Sequence, residues 1–378
     1  MRIHANAAWF ALGASAGWNV ANVGAVATRI GDSYGVSLAV VGFFTTALFI
    51  THAILQVPAG RLCDRYGPRA VGAAGLLVTA GASLLIASWH DARAAIILRA
   101  VAGVGTAFSF VAGSDYARAT SGTAVVQGLY GATAMLAGGI ALILIPLLDG
   151  WRAPFVSAAV LAAAGAVIVM TAPGTHVPLP RARGFPSLRD GGLARYSAMH
   201  AASFGLSVVV ANWIVTLIER NAGASAATAG AIGALTLVLG VITRPLGGHF
   251  EDRPAVLRAS FLLGGLGVAL LGVTSSLPVA VLAAALVGLA AGIPFAPAFA
   301  RAARERPEAP AAAVGLVNMS AAVTILVATP LVGLTFSLPG SGRIGFLVIA
   351  AVWAATALCV PTSSRRALRE SRPPESHS

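Results

Sequence analysis

The chain has 378 residues, of which 57% are hydrophobic and only 10% charged, and its mean hydropathy is +0.83. So little charge cannot solvate a water-soluble fold of this size, and the composition is that of a chain built for lipid. The 25 basic residues are all arginine and outnumber 13 carboxylates, a formal net charge of +12; with no soluble basic segment to carry it to a nucleic acid, this excess reads as a signal of membrane orientation.

Apolar stretches long enough to cross the hydrocarbon core, about 20 residues at ~1.5 Å each, are predicted at 8–29, 37–57, 70–88, 93–114, 124–147, 152–172, 195–218, 226–247, 255–274, 278–299, 311–334 and 343–361. The expected fold is therefore an all-α membrane protein of twelve transmembrane helices in two six-helix bundles, residues 1–172 and 195–361. A proline-, glycine- and arginine-rich linker (173–194) joins them, and a basic tail (362–378) follows. Ala14-Ser15-Ala16 offers a small-residue site of the signal-peptide kind. However, Ala21-Asn22 of the first span is matched by Ala211-Asn212 of the seventh, so the first span is expected to be a retained helix.

Arg29, Arg93, Arg152, Arg220 and Arg343 fall on one side of these spans, Arg99 and Arg244 within them, and the other 18 arginines on the opposite side. That side is expected to be cytoplasmic and to hold both termini. The alanine-rich, lysine-free composition is that of a GC-rich bacterial source, which places the expected location in the inner membrane. Cys63 and Cys359 stand in no ligand spacing, and no metal or cofactor site is expected.

Half of the chain repeats in the other half. Gly60-x-x-x-Asp64-Arg65, continuing to Gly67 and Arg69, returns 188 positions later as Gly248-x-x-x-Asp252-Arg253, and Gly42 returns as Gly230 at the same offset. Each aspartate lies where a span meets the basic side, hydrated but able to pair with arginines of its own loop: Arg65 or Arg69 for Asp64, Arg253 or Arg258 for Asp252. Gly60 and Gly248 remove side chains so that a neighbouring helix can approach. A duplicated chain with Gly-x-x-x-Asp-Arg after the second span of each half resembles the major facilitator superfamily of secondary transporters, over residues 8–361.

The resemblance implies alternating access, with a cytoplasmic latch at Gly60, Asp64, Arg65, Arg69, Gly248, Asp252 and Arg253, and with Asp115 as a further partner for Arg65. Arg99-x-x-x-Gly103-x-Gly105 in the fourth span resembles a superfamily motif, and its arginine lies close enough to the outer surface to snorkel or to face a central cavity. Gly150-Trp151-Arg152-x-x-Phe155 resembles a superfamily turn. The Gly-Pro-x-x-Gly-Gly signature of many drug:proton antiporters is missing, since the fifth span reads Leu136-Ala-Gly138-Gly139.

Arg244 lies eight positions before Asp252, ~12 Å inside the basic boundary at ~1.5 Å per residue, where a guanidinium is costly unless it meets a wet cavity or an anion. Its repeat partner is Gln56, expected to face it across the pseudo-twofold axis. Nitrate and nitrite porters have arginine at both places, whereas oxalate/formate and monocarboxylate porters resemble this chain in an Arg-Pro arginine on the eighth span. A planar two-pronged donor suits a carboxylate; bracing of the latch is the other reading of the same residue. Asn22, Tyr130, Asn212 and Asn318, polar residues at mid-span, are expected to share the substrate site with Arg244 and Gln56. His52, ~18 Å deep by the same rise, is the proton-coupling candidate. Pro294 and Pro297 predict a kink or break in the tenth span.

These observations predict a transporter of a small organic anion such as a monocarboxylate, acting as a monomer in the bilayer with a proton or counter-anion as its coupled partner. A carrier of a neutral or amphiphilic compound stands as the alternative, and a non-transporting receptor behind it. No HExxH, GxSxG or phosphate-binding loop is present, so no enzyme activity is expected.

Overall fold

A backbone in hydrocarbon has no water to satisfy its polar groups, which leaves helices as the economical solution for long alanine-, leucine- and valine-rich runs. In a computed structural model of the chain, residues 2–121, 123–174, 187–306 and 310–361 are described, and no strand occurs among them. Most of the expected linker, the whole expected tail and the side chain of Asp64 lie outside the described residues.

The first span is α1 (Arg2–Ala21), a short 3-10 turn and α2 (Ala27–Tyr34), ending at Gly35 in the left-handed region (φ 63). Spans two to six are α3 (Leu38–Tyr66), α4 (Pro68–Ser88), α5 (Ala92–Ser121), α6 (Ala124–Leu144) and α7 (Ala153–Thr171). The seventh is α8 (Gly191–His200), one π-helical turn (Ala201–Leu206) and α9 (Ser207–Ala222). Then come α10 (Ala226–Gly247), α11 (Pro254–Val273), the broken tenth span α12 (Leu277–Gly292) and α13 (Phe295–Glu305), α14 (Pro310–Thr335) and α15 (Arg343–Ala355). Among the described residues ten helical stretches are long and apolar enough to cross a membrane; α1 with α2, and the shorter apolar Arg343–Cys359, complete the twelve spans of two pseudo-symmetric six-helix bundles.

The repeat is visible in local chemistry. Ser37 caps α3 by accepting from Val40 N, and Ser225, 188 positions on, caps α10 by accepting from Thr228 N. Pro68 and Pro254 open α4 and α11, where a missing N–H costs nothing. The kink or break expected in the tenth span is a full break at Ile293-Pro294, while Pro297 sits in the first turn of α13.

The halves meet along two repeat-related seams, α3 against α14 and α10 against α6. A Cβ added at Gly42 would lie 3.5 Å from Pro330 Cα, and one at Gly230 would lie 2.5 Å from Leu142 O, so each seam closes on a repeat glycine. Gly60 makes no such approach: its nearest neighbour is Val111 Cγ1 at 3.9 Å. On α10 the close contact belongs to Gly247, whose added Cβ would strike the Ile293 carbonyl at the break of the tenth span, and Gly248 instead begins the turn that ends the helix.

Candidate functional site

Between the halves, a cavity of about 300 Å³ is lined by Gln56, Phe110, Phe299 and Asn318 at its inner end and by Cys63, Asp115, Arg118 and Arg304 toward the arginine-rich end. The Arg118 and Arg304 side chains are 42% and 63% exposed, so the cavity reaches the surface there. At the opposite end the halves are tied together. Thr46 Oγ1 donates to Leu326 O (3.3 Å), Thr45 Oγ1 donates to Asn212 Oδ1 (3.4 Å), and an added Cβ at Gly24 would lie 2.7 Å from Asn212 Cα.

This arrangement divides the predicted substrate residues. Gln56 and Asn318 line the cavity. Asn22 and Asn212 lie at the closed end, where Asn22 Nδ2 donates to Pro154 O (2.9 Å) and Asn212 Nδ2 donates to Val208 O (2.9 Å). Tyr130 is buried behind the cavity wall, with its hydroxyl donating to Phe110 O at 2.6 Å.

Arg244 is also behind the wall and has no exposed surface. Its Nη1 donates to Gly131 O at 2.5 Å, and its guanidinium lies 4.1 Å from the centroid of Phe295 and 5.1 Å from that of Phe204. Nε and Nη2 are buried with no hydrogen-bond partner. A desolvated guanidinium with two vacant donors between two phenyl faces gains cation–π energy, ~2 kcal/mol or more, but it remains short of an anion. Sequence symmetry sets Gln56 opposite Arg244, whereas in the structure Gln56 bonds within its own half, to His52, and Arg244 crosses the seam to Gly131 of α6.

His52 and Gln56 form a closed chain. Gln56 Nε2 and His52 Nε2 are 2.7 Å apart, His52 Nδ1 and Thr106 Oγ1 are 3.0 Å apart, and Thr106 Oγ1 donates to Gly103 O at 3.1 Å. An amide nitrogen only donates, so His52 Nε2 accepts and Nδ1–H donates. Both ring nitrogens of a neutral His52 are thereby used.

A second buried histidine, His200 at the end of α8, was not singled out in the sequence. Its Nε2 is 3.2 Å from Asn318 Oδ1, Nδ1 is buried without a partner, and its ring packs on Phe204, Phe295 and Phe299. The signal was present: an ionisable residue six positions inside an expected span marks a functional position. The π-turn that follows it, a common feature of functional sites, leaves no comparable mark in the sequence.

Arg99 neither snorkels nor faces the cavity. It is 1% exposed and donates three hydrogen bonds: Nε to Phe44 O (3.2 Å), Nη1 to Asn19 Oδ1 (3.3 Å) and Nη2 to Asn19 O (2.8 Å). A Cβ at Gly103 would strike Leu48 O, and one at Gly105 would strike Gly75 O, so the rest of that motif presses α5 against α3 and α4.

At the arginine-rich end the ion pairs differ from those expected from sequence neighbours. Asp115 pairs with Arg118, one turn along α5 (2.5 Å), while the Arg65 guanidinium lies over the Tyr66 ring at 5.0 Å. Arg69 Nη2 donates to Met170 O. Asp252 pairs with Arg301 of α13 (3.0 Å), Arg301 lies 3.6 Å from Glu251, and Arg304 pairs with Glu251 as well; Arg258 bonds instead to Val360 O. Spatial neighbours 49 residues away outcompete the arginines next in sequence because α13 emerges beside the turn that ends α10. Among the described residues no group of histidines, cysteines and carboxylates could hold a metal ion.

The family model of the Major Facilitator Superfamily matches residues 9–197. No curated protein matches the chain. Among solved structures, that of the human organic anion transporter MFSD10 (TETRAN) is similar with a TM-score of 0.73 at 15% identity, over 94% of this chain and 98% of that one. A mutant of the nucleoside transporter NupG is similar with a TM-score of 0.72 at 13% identity, over 95% and 98%. At such identities the likeness is one of fold.

Proposed function

The chain belongs to the major facilitator superfamily, and from that premise we propose that it moves a small organic anion, such as a monocarboxylate, across the membrane by alternating access. The observation that carries the anion is Arg244: fully buried, with Nε and Nη2 vacant and a single bond to a backbone carbonyl. A carboxylate supplies two acceptors in the plane those donors require. MFSD10, which has the same fold, is described as an organic anion transporter.

In this reading residues 1–172 and 195–361 rock about the α3/α14 and α6/α10 seams, and the arginine-rich end, cytoplasmic by the positive-inside bias, is the open one. The anion enters from there and reaches Arg244 when the wall of Phe110, Phe299 and Phe295 parts. The latch residues Gly60, Asp64, Arg65 and Arg69 would engage in the opposite state, when this end closes.

A second reading is favoured by one observation: the walls of the open cavity are mainly apolar, with Phe110, Val111, Phe299 and Val314, and Arg244 is not among them. That chemistry suits a neutral or amphiphilic compound, with Arg244 as a brace.

Uptake of labelled acetate, lactate and benzoate into proteoliposomes, wild type against Arg244→Gln, tests the choice. Saturable uptake lost in the variant supports the anion. Folded protein that transports none of the three gives the amphiphile reading precedence.

A further inference from the structure

His200 and Arg244 reach the same two aromatic rings from different spans. The His200 ring stacks on Phe204 (centroids 5.3 Å, interplanar 21°) and packs against Phe295 (5.5 Å), the rings that hold the Arg244 guanidinium at 5.1 and 4.1 Å. Asn318 Oδ1 only accepts, so His200 Nε2 carries the ring hydrogen and Nδ1 is the basic nitrogen. Nδ1 is buried without a partner, as are Nε and Nη2 of Arg244. Three vacant nitrogen positions on two side chains thus share one aromatic enclosure, in which His200 lies within electrostatic reach of Arg244.

The ionisable groups on the surrounding elements are few. α14 contributes none among its residues 310–335. α13 contributes Arg301, Arg304 and Glu305, all toward its far end, where Arg301 and Arg304 are engaged with Glu251 and Asp252. α10 contributes Arg244; α6 contributes Tyr130, whose hydroxyl is held by Phe110 O; the turn Thr356–Cys359 contributes Cys359; and α8 itself carries Arg195 and Tyr196 nearer its start. None of these places a carboxylate between Arg244 and His200.

We propose that Arg244 and His200 form one binding cleft in which a carboxylate held by the guanidinium is accompanied by a proton on His200 Nδ1, so that the protein carries its anion together with a proton. This rests on the organic-anion reading above and adds its coupling. Two cations in an apolar enclosure repel strongly, because little solvent screens them. A carboxylate between them turns that repulsion into two attractions, so each ligand raises the affinity for the other by the same factor. Charge balances: one anion and one proton enter, and the loaded site has the charge of the empty one. His52 cannot serve in the same way without rearrangement, because its accepting nitrogen faces the amide nitrogen of Gln56 and a second proton there requires that amide to turn over.

The test is calorimetric binding of lactate and of benzoate to the purified full chain, in buffers of high and low ionisation enthalpy, across neutral pH. The expected result is uptake of about one proton per carboxylate, with the dissociation constant rising about tenfold per pH unit on the alkaline side. In His200→Gln, binding is weaker and both the uptake and the pH slope are lost. Carboxylate binding to the wild type without proton uptake overturns the proposal whatever the variants do, as does undiminished uptake in His200→Gln. If neither probe binds, or if Arg244→Gln binds them as the wild type does, the anion reading itself falls and the proposal with it.

Discussion

Gly42 and Gly230, 188 positions apart, occupy equivalent places in the two seams that close the end opposite the arginine-rich loops: Gly42 against Pro330 of α14, Gly230 against the Leu142 carbonyl of α6. A Cβ at Gly42 would make ordinary contacts, whereas at Gly230 there is no room for one while that end is shut. Gly230→Val should therefore destabilise the closed arrangement and shift the population toward the one in which this end is open. Labelling of a cysteine placed at Thr45 reports the shift. Labelling at least severalfold faster than in the Gly230 parent is expected, and an unchanged rate would mean that the seam absorbs the added carbons without opening.

Arg99 ties three spans through its bonds to Asn19 and Phe44 O. Lysine keeps the charge and loses the fork, leaving at least one buried carbonyl without its donor. Arg99→Lys should lower stability by ~2–4 kcal/mol, the order of two charged hydrogen bonds lost inside a bundle, and reduce the melting temperature in detergent by several degrees. A melting temperature equal to that of the wild type would leave the fork without a structural role.

The spans were legible in the sequence because lipid imposes one rule on every backbone group, and α10 begins and ends where its apolar run does. The vacant arginine was legible for the same reason, as a charge at a depth where charges are costly. The pairing at the arginine-rich end was not. Asp252 has Arg253 beside it in sequence but pairs with Arg301, and only the path of α13 after the break at Pro294 brings Arg301 there. His200 was legible as an ionisable residue within an apolar span; its relation to Arg244 was not, because two rings create it, Phe204 of the π turn in its own span and Phe295 at the start of α13. Asn22 and Asn212, polar at mid-span, lie at the closed end: Asn22 bonds across to Pro154 O, while Asn212 bonds back to Val208 O of its own span and accepts from Thr45 Oγ1, partners that mid-span polarity alone does not reveal.

Gly131 offers a way to disturb Arg244 without touching it. A Cβ there would strike the Phe295 ring and stand 2.9 Å from Arg244 Nη1, displacing the one bond that fixes the guanidinium. Gly131→Ala should leave the bundle folded, since alanine is a good helix former, yet weaken carboxylate binding by about tenfold, equivalent to ~1.4 kcal/mol. Equal affinity in the variant and the wild type would separate Arg244 from the substrate.

The ion cluster of Glu251, Asp252, Arg301 and Arg304 joins the end of α10 to α13 within one half, and so ought to govern how the tenth span moves after its break. Arg301 is 17% exposed and Glu251 16%, whereas Asp252 is 79% exposed. Solvent screens the Asp252 pair, for which ~0.2–1 kcal/mol is the usual range of such contacts; the less exposed Glu251 contact is screened less. A double-mutant cycle of Arg301→Ala with Asp252→Ala should return a coupling at or below that range and vanish in high salt. The cycle of Arg301→Ala with Glu251→Ala should return the larger value and survive salt. If the order is reversed, the exposed aspartate is the stronger tie, and the repeat of the Gly-x-x-x-Asp-Arg motif has the energetic role in this half that its sequence first suggested.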